Sequence, residues 1–259
     1  MNELRITLYQ SDIVWEDKKS NLENLSEKLK QLSGITDLVV LPEMFSTGFS
    51  MKSKEMAESM DGYTIRSLRE LARHNDVALC GSMIALDAGR YYNRGFFIHP
   101  DGCVEHYDKR HLFRMGDEPN HYSSGLERLI VNYKEWKICL LICYDLRFPV
   151  WARNVQNEYD LLIYVANWPA SRSKVWNLLL PARAVENMAY VCGVNRVGTD
   201  GLGLKYSGDS TLIDARGQTV VSCTPGVEEC LTAVVSMDSL EDFRKKFPVW
   251  MDGDRFEII

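Results

Sequence analysis

One cysteine stands where its thiol could act as a nucleophile. An apolar run at 138–142 ends at Cys143, and a more polar stretch that includes Pro149 follows at once. This pattern predicts a strand that turns directly into a helix. The Cys143 side chain would then lie at the end of a sheet, facing helix N–H groups that stabilise a thiolate. An unperturbed thiol, with a pKa of about 8.5, is only a few per cent ionised at pH 7, so another residue must supply a base or a positive charge.

The same strand carries a second cysteine that illustrates the alternative. Cys139 precedes Cys143 on the same face of the strand, but it lies mid-strand, where cysteine is usually a small core residue. Cys143 alone would also fit that structural role, and its place at the strand end favours chemistry. A redox or zinc site on the two thiols is disfavoured, because no Cys-x-x-Cys or His-x-x-x-His spacing supplies further ligands. No metal or other cofactor is expected.

Two charged residues could supply the base and the positive charge. Glu43 follows the apolar run 37–42, at the end of a predicted buried parallel strand, which is where α/β active sites lie. In isolation it could equally cap a helix or form a surface ion pair. Lys109 lies in the polar run 108–111, and a lone lysine is most often a solvated charge. The catalytic hypothesis therefore depends on Glu43, Lys109 and Cys143 together.

The elements that must position these residues alternate between strands and helices. The first half contains predicted strands at 4–8, 37–43 and 77–86, a helix through Leu22, Leu25 and Leu29 that ends near Gly34, a helix at 64–75, and a hairpin of 91–98 with 104–107. The second half contains predicted strands at 137–143, 161–167 and 190–196, a helical stretch from about 148, a helix at 175–188, and a closing hairpin. The chain is therefore predicted to be an α/β protein.

The two halves resemble each other in sequence. Residues 36–40 resemble 159–163, and the turn segment 97–102 resembles 211–217, which indicates an internal repeat of two β/α halves. Two sheets stacked face to face, with helices on their outer faces, would bury all the apolar strands. No linker divides the sequence, so residues 1–259 are predicted to form a single domain.

Composition and charge exclude several classes of function. The formal charge is −6 with a pI near 5.5, and no dense Lys or Arg run is present, so nucleic acid is a poor partner. The longest apolar runs are six residues, whereas a membrane span needs about 20. The N-terminus lacks the features of a signal peptide, and seven cysteines fit reduced thiols better than disulfides. A cytoplasmic location is expected.

Three stretches resemble the signature blocks of the nitrilase superfamily of carbon-nitrogen hydrolases. They are 41–45 (LPEMF), 108–113 (DKRHLF) and 142–149 (ICYDLRFP), with further similar blocks at 167–170 and 182–187. Their order and spacing match, and the resemblance covers about 4–237. It implies a four-layer α-β-β-α sandwich, a homodimer and a Glu43–Lys109–Cys143 triad. In that triad Glu43 is the base, Cys143 forms a thioester, and Lys109 with the Tyr144 backbone N–H stabilises the oxyanion.

The resemblance also implies a second carboxylate that orients the lysine and the substrate amide. Glu118 matches it in position, although the adjacent Asp117 leaves the register open and a loop charge is the alternative. Asp145 and Arg147 are interpreted first as structural residues that anchor the turn after Cys143.

Within the superfamily, the sequences of segments 109–115, 143–151 and 167–170 are most similar to those of the bacterial omega-amidases. That branch hydrolyses the terminal amide of 2-oxoglutaramate and 2-oxosuccinamate. A small keto acid of this kind needs a cationic or amide-rich wall, for which Arg172, Lys174 and Asn195 are candidates. Trp168 and Trp176 could shape a compact pocket, with core packing as the alternative.

Three questions stay open at the level of sequence. The same triad would serve an N-carbamoyl amide hydrolase or a nitrilase, because the signature blocks fix the nucleophile and not the leaving group. A catalytically silent interaction protein of the same fold is the alternative from another class, although the three key residues are intact. The C-terminal stretch 247–259 is expected to pack either on its own subunit or at a dimer interface.

Overall fold

The computed structural model describes residues 2–254, 256 and 257. The strands are β1 (Glu3–Gln10), β2 (Leu38–Val40), β3 (Ala78–Asp87), β4 (Arg90–Ile98), β5 (Val104–Asp108), β6 (Leu129–Tyr133), β7 (Trp136–Ile142), β8 (Leu161–Ala166), β9 (Tyr190–Asn195), β10 (Val197–Thr199), β11 (Lys205–Ser207), β12 (Thr211–Ile213), β13 (Thr219–Ser222) and β14 (Glu229–Ser236). The helices are α1 (Lys18–Leu32), α2 (Ser53–Met56), α3 (Tyr63–Asn75), α4 (Pro149–Ala152), α5 (Ser173–Asn187) and α6 (Met237–Lys246). Short 3₁₀ helices lie at Arg114–Gly116, Glu118–Asn120, Cys143–Arg147, Ala170–Arg172 and Val249–Asp252.

Two six-stranded sheets have the same topology. Their strand orders are β14-β1-β2-β3-β4-β5 and β6-β7-β8-β9-β12-β13. In each sheet three consecutive strands run parallel, an antiparallel hairpin follows them, and an antiparallel strand covers the other side. The similar segments 36–40 and 159–163 contribute to β2 and β8, the middle parallel strands of the two sheets. The topology therefore has the internal repeat that the sequence predicts.

The sheets stack face to face and helices cover their outer faces. Gly95 of β4 approaches β7 so closely that an added Cβ would lie 2.9 Å from Leu140 Cδ2. On the outer face of the first sheet, α1 and α3 pack Leu25 and Leu68 against Val39. On the outer face of the second, Leu180 of α5 packs against Gly193 of β9. The predicted α-β-β-α sandwich is confirmed.

Several elements differ from the prediction. The helical stretch expected from about 148 is only α4, four residues long, preceded by a 3₁₀ turn at Cys143–Arg147. Strand β14 was not predicted, because most of its residues are partly exposed and its sequence lacks the clean alternation of a half-buried strand. The small hairpin β10–β11 was also missed, since its strands are three residues each and are joined by a glycine-rich loop.

The C-terminal stretch leaves apolar side chains exposed. Phe247 and Met251 are more than half accessible, so these residues do not complete the core of their own subunit. Positions 255, 258 and 259 of this stretch lie outside the described residues. Within the described part of the chain, no helix is both long enough and apolar enough to cross a bilayer.

Candidate active site

Glu43, Lys109 and Cys143 meet at one end of the sandwich. They follow β2, β5 and β7, so the group draws on both sheets. Lys109 Nζ donates to Glu43 Oε1 at 2.8 Å. Glu43 and Lys109 are fully buried, and Cys143 retains 9% of its surface. A thiol, a carboxylate and an ammonium group thus share one site that is largely shielded from water.

Glu118 is the second carboxylate at this lysine. Lys109 Nζ lies 3.0 Å from each of its oxygens, and the Phe113 backbone N–H donates to Glu118 Oε2. Asp117, by contrast, is on the exterior, where it accepts from Asn120 and His121. Of these two neighbouring carboxylates, the one beside Lys109 is therefore Glu118.

Asn93 ties the two carboxylates together and was not found from the sequence. Its Nδ2 donates to Glu43 Oε1 at 2.7 Å and to Glu118 Oε1 at 3.0 Å. Its Oδ1 accepts from the Ser82 hydroxyl, so the amide cannot rotate freely. A fully buried asparagine within strand β4 requires partners of this kind, which is the signal that could have identified it.

One cation, the Lys109 ammonium, lies between the two carboxylates of the cluster. Burial alone would lower the pKa of Lys109, but Glu118 and Glu43 outweigh it and raise that pKa above its ordinary value. The ammonium is therefore retained. Burial raises the pKa of Glu118 against the opposing effect of Lys109, and the charge of Glu43 adds to the rise. The Lys109 ammonium thus lies between two carboxylates that accept its hydrogen bonds.

Cys143 sits in a strained turn. Its φ of 46° is in the left-handed region, which costs free energy for a residue with a side chain. Cys143 is the first residue of a five-residue 3₁₀ helix, so the α-helix whose N–H groups were expected to face a thiolate does not begin here. Burial raises the pKa of Cys143 well above its usual value, Glu43 adds to the rise and Lys109 opposes it. The resting residue is a thiol that needs a base.

Cys139 behaves as the sequence predicts. It is fully buried in the middle of β7, and burial raises the pKa of its thiol to about 12. It packs in the hydrophobic core, and no hydrogen bond between described residues joins it to a lysine.

A cavity of about 210 Å³ opens above Lys109 and Cys143. Most of its wall is apolar or aromatic, and it is lined by Phe49, Met51, Phe113, Met115, Gly116, Tyr144, Arg147, Asn167, Trp168, Pro169, Arg172, Asp200, Leu202, Leu204 and Tyr206. Tyr144, the expected second oxyanion donor through its backbone N–H, is among these residues. The volume suits a small molecule and not a polymer.

Two arginines in the cavity wall lie over aromatic rings. The guanidinium carbon of Arg147 is 5.2 Å from the centre of the Trp168 ring, and that of Arg172 is 5.0 Å from the Phe113 ring. None of the ion pairs between described residues includes Arg147 or Arg172, so their N–H groups can serve an anion. Arg147 was first interpreted as structural, although its position four residues after Cys143 would bring it to the same side of a helical turn.

The predicted pocket residues divide into two groups. Trp168 and Arg172 line the cavity, whereas Lys174, Trp176 and Asn195 do not. Lys174 is exposed on α5. Trp176 is buried beneath Trp168, with ring centres 5.6 Å apart, and donates to the Asp209 carbonyl. Asn195 accepts from Trp168 N and donates to Trp168 O, so it supports the cavity wall from behind.

Comparison with known proteins gives the class of the chain. Residues 5–245 match the carbon-nitrogen hydrolase family model, and the chain belongs to that family, within the nitrilase superfamily. It is 44% identical to omega-amidase YafV of Escherichia coli K12 over 98% of each chain. It is 29% identical to a 2-oxoglutaramate amidase of Bacillus subtilis, over 95% of this chain and 96% of the relative.

A solved structure agrees over the whole chain. XC1258 of Xanthomonas campestris is a CN-hydrolase superfamily protein with an arsenic adduct in its active site. It superposes with a TM-score of 0.97 at 42% identity, covering 100% of both chains.

Proposed function

We propose that this protein is an omega-amidase that hydrolyses the terminal amide of a small 2-oxo acid, such as 2-oxoglutaramate or 2-oxosuccinamate, to the acid and ammonia. The observation that carries the proposal is the position of the Glu43, Lys109 and Cys143 cluster at the base of a small cavity with two arginines in its wall. The similarity to omega-amidase YafV over almost the whole chain supports the same activity.

The first half of the reaction is acylation. Because the pKa of the Cys143 thiol is raised, Glu43 must remove its proton as the sulfur attacks the amide carbon. The Lys109 ammonium and the Tyr144 backbone N–H stabilise the oxyanion. The tetrahedral species then breaks the C–N bond, and Glu43 returns the proton to the leaving nitrogen, so that ammonia departs and a Cys143 thioester remains.

The second half is hydrolysis of the thioester. Glu43 takes a proton from water as the water oxygen attacks the acyl carbon, and the same donors stabilise the second oxyanion. The C–S bond breaks and Cys143 recovers its proton. Glu118 keeps Lys109 in place throughout, through the two contacts at 3.0 Å.

Arg147 and Arg172 bind the 2-oxo carboxylate end of the substrate. A 2-oxo carboxylate presents acceptors on two adjacent carbons, and the planar guanidinium group matches such an arrangement with paired donors. The rings of Trp168 and Phe113 hold Arg147 and Arg172 without consuming their N–H groups. An α-ammonium group, as in glutamine, would place further N–H donors and a positive charge against the donors of Arg147 and Arg172, so the keto acid is preferred.

A panel of substrates tests the proposal. Ammonia release should be much faster, in kcat/KM, with 2-oxoglutaramate or 2-oxosuccinamate than with glutamine, asparagine, an N-carbamoyl amino acid or an aliphatic nitrile. An unpaired buried polar group costs about 1–3 kcal/mol, or roughly 5- to 150-fold in rate. Preference for glutamine or the carbamoyl compound in direct competition would refute the omega-amidase assignment and leave the triad intact.

We also propose that the protein acts as a homodimer in the cytoplasm. Support for the dimer comes from α5, whose outer face presents Leu178 and Val185, each more than half exposed, with exposed Ala182 between them. All seven cysteines are free thiols, as suits a reducing compartment. Light scattering should give about twice the chain mass, and Leu178→Glu should give the monomer; a monomeric wild type would refute the dimer.

A further inference from the structure

A buried carboxylate outside the triad joins the two loops that carry Lys109 and Cys143. Asp145 is fully buried, and its Oδ1 accepts from the His111 backbone N–H at 3.0 Å and from His111 Nδ1 at 2.8 Å. Its Oδ2 accepts from the Tyr107 hydroxyl at 2.7 Å and from the Ile142 backbone N–H at 3.0 Å. Four donors match the acceptor capacity of one ionised carboxylate.

The donors flank Lys109 on both sides and include the residue directly before Cys143. Tyr107 and His111 lie two residues before and two residues after Lys109, and Ile142 directly precedes Cys143. Tyr107 belongs to β5 in one sheet and Ile142 to β7 in the other. The contacts of Asp145 therefore cross from one sheet to the other beside the reacting groups.

The surroundings hold this arrangement rigidly. The Tyr107 hydroxyl also accepts from Arg110 N and Trp151 Nε1, and the His111 ring stacks on Phe148 with 3.7 Å between centres. Burial, and then the charge of Asp145, raise the pKa of Tyr107 well above its ordinary value, so the phenol keeps its proton and remains a donor. Little freedom is left to either loop.

From this geometry we infer that Asp145 is a positioning residue for the reaction: it fixes Cys143, across the interface of the sheets, at the place where Glu43 and Lys109 can act on it. The inference rests on the proposed function, because it assigns Asp145 to the same reaction. Asp145 touches neither the substrate cavity nor the triad side chains among the described hydrogen bonds, and it acts through the backbone on either side of them.

The test combines kinetics with a measurement that needs no substrate. In Asp145→Asn two of the four donors would face an amide N–H₂ group, so kcat should fall about 100-fold, the effect of a misplacement near 1 Å, with KM little changed. The pH midpoint of Cys143 alkylation by iodoacetamide, followed on the Cys143 peptide by mass spectrometry, should rise, because the thiolate loses its fixed distance from the Lys109 ammonium. The alkylation result holds whatever the physiological substrate is.

Two further variants keep the test decisive. Tyr107→Phe removes one donor and should give a smaller fall in kcat, and its effect should be less than additive with Asp145→Asn. Asp160→Asn is the matched control. Asp160 is another buried aspartate, directly before β8, and it accepts from Arg244 and from the Lys137 backbone N–H. Its substitution should leave kcat unchanged. If folded Asp145→Asn kept the wild-type kcat and alkylation midpoint, or if Asp160→Asn lost as much activity, Asp145 would be only structural.

Discussion

Asn167 holds Glu43 from two directions. Its backbone N–H donates to Glu43 Oε2 at 2.8 Å, and its side-chain Nδ2 donates to the Glu43 carbonyl oxygen at 2.5 Å. Because Asn167 follows β8 in the second sheet and Glu43 follows β2 in the first, the base is fixed against the sheet that carries the nucleophile. With Lys109 and Asn93 also on Glu43 Oε1, the carboxylate has little rotational freedom.

Asn167→Ala should therefore impair the base while leaving it present. The backbone contact survives and the side-chain hydrogen bond is lost, which is worth about 1 kcal/mol, so kcat should fall roughly 5- to 10-fold. Steady-state kinetics against Asn177→Ala, an exposed position on α5, provide the comparison. Equal rates in both variants would show that Glu43 does not need this support.

Lys109→Ala should lower kcat by about 100- to 1,000-fold with a smaller effect on KM, because an oxyanion donor acts mainly in the transition state. Lys109→Arg should not restore the rate, since a planar fork cannot replace a compact ammonium between Glu43 and Glu118. Circular dichroism checks that each variant is folded. Recovery near the wild-type rate with arginine would mean that Lys109 supplies only a diffuse positive field.

Glu43→Gln should change thiol acidity and turnover in opposite directions. The charge of Glu43 raises the pKa of Cys143, so its removal should lower the pKa and move the alkylation profile of Cys143 to lower pH. Turnover should nevertheless be lost, because no base remains for the thiol or for water. Alkylation rates across pH and ammonia release on the same preparation test both halves. A Glu43→Gln enzyme with substantial activity would remove Glu43 from the base role.

Arg147→Ala and Arg172→Ala should separate acid recognition from chemistry. A hydrogen bond to a charged group is worth about 1.5–3 kcal/mol, so each variant should lose roughly 10- to 150-fold in kcat/KM for 2-oxoglutaramate. A neutral aliphatic amide should be affected much less. Lys174→Ala, which changes an exposed cation outside the cavity, is the matched control. Equal losses on charged and neutral amides would contradict a carboxylate-binding role for the arginines.

The sequence predicts the three residues Glu43, Lys109 and Cys143 better than it predicts the residues that surround them. Glu43, Lys109 and Cys143 follow strand ends, and a buried strand that ends in a polar or reactive residue is visible in the hydrophobic pattern. Asn93 was missed because a single asparagine inside a strand that also carries arginines and tyrosines does not reveal which distant groups it bonds. Its partners Glu43 and Glu118 lie 50 and 25 residues away.

Side-chain direction accounts for the pocket residues that were misplaced. Lys174 and Trp176 lie close to Arg172 in sequence, yet α5 turns Lys174 to solvent and Trp176 under Trp168. Proximity along a helix therefore does not give proximity to the cavity. The strained φ of Cys143 likewise depends on the sheet and turn around it, and the sequence pattern predicted a direct turn into a helix where a 3₁₀ turn forms.

Thioester formation on Cys143 can be measured directly. Enzyme quenched in acid during turnover of 2-oxoglutaramate, digested and mapped by mass spectrometry, should carry the acyl group on the Cys143 peptide. Cys143→Ala should show neither adduct nor ammonia release, whereas Cys139→Ala should retain both, because Cys139 is fully buried in the core and no hydrogen bond between described residues joins it to a lysine or a carboxylate. An adduct on any other cysteine, or continued turnover by Cys143→Ala, would contradict the assignment of Cys143 as the nucleophile.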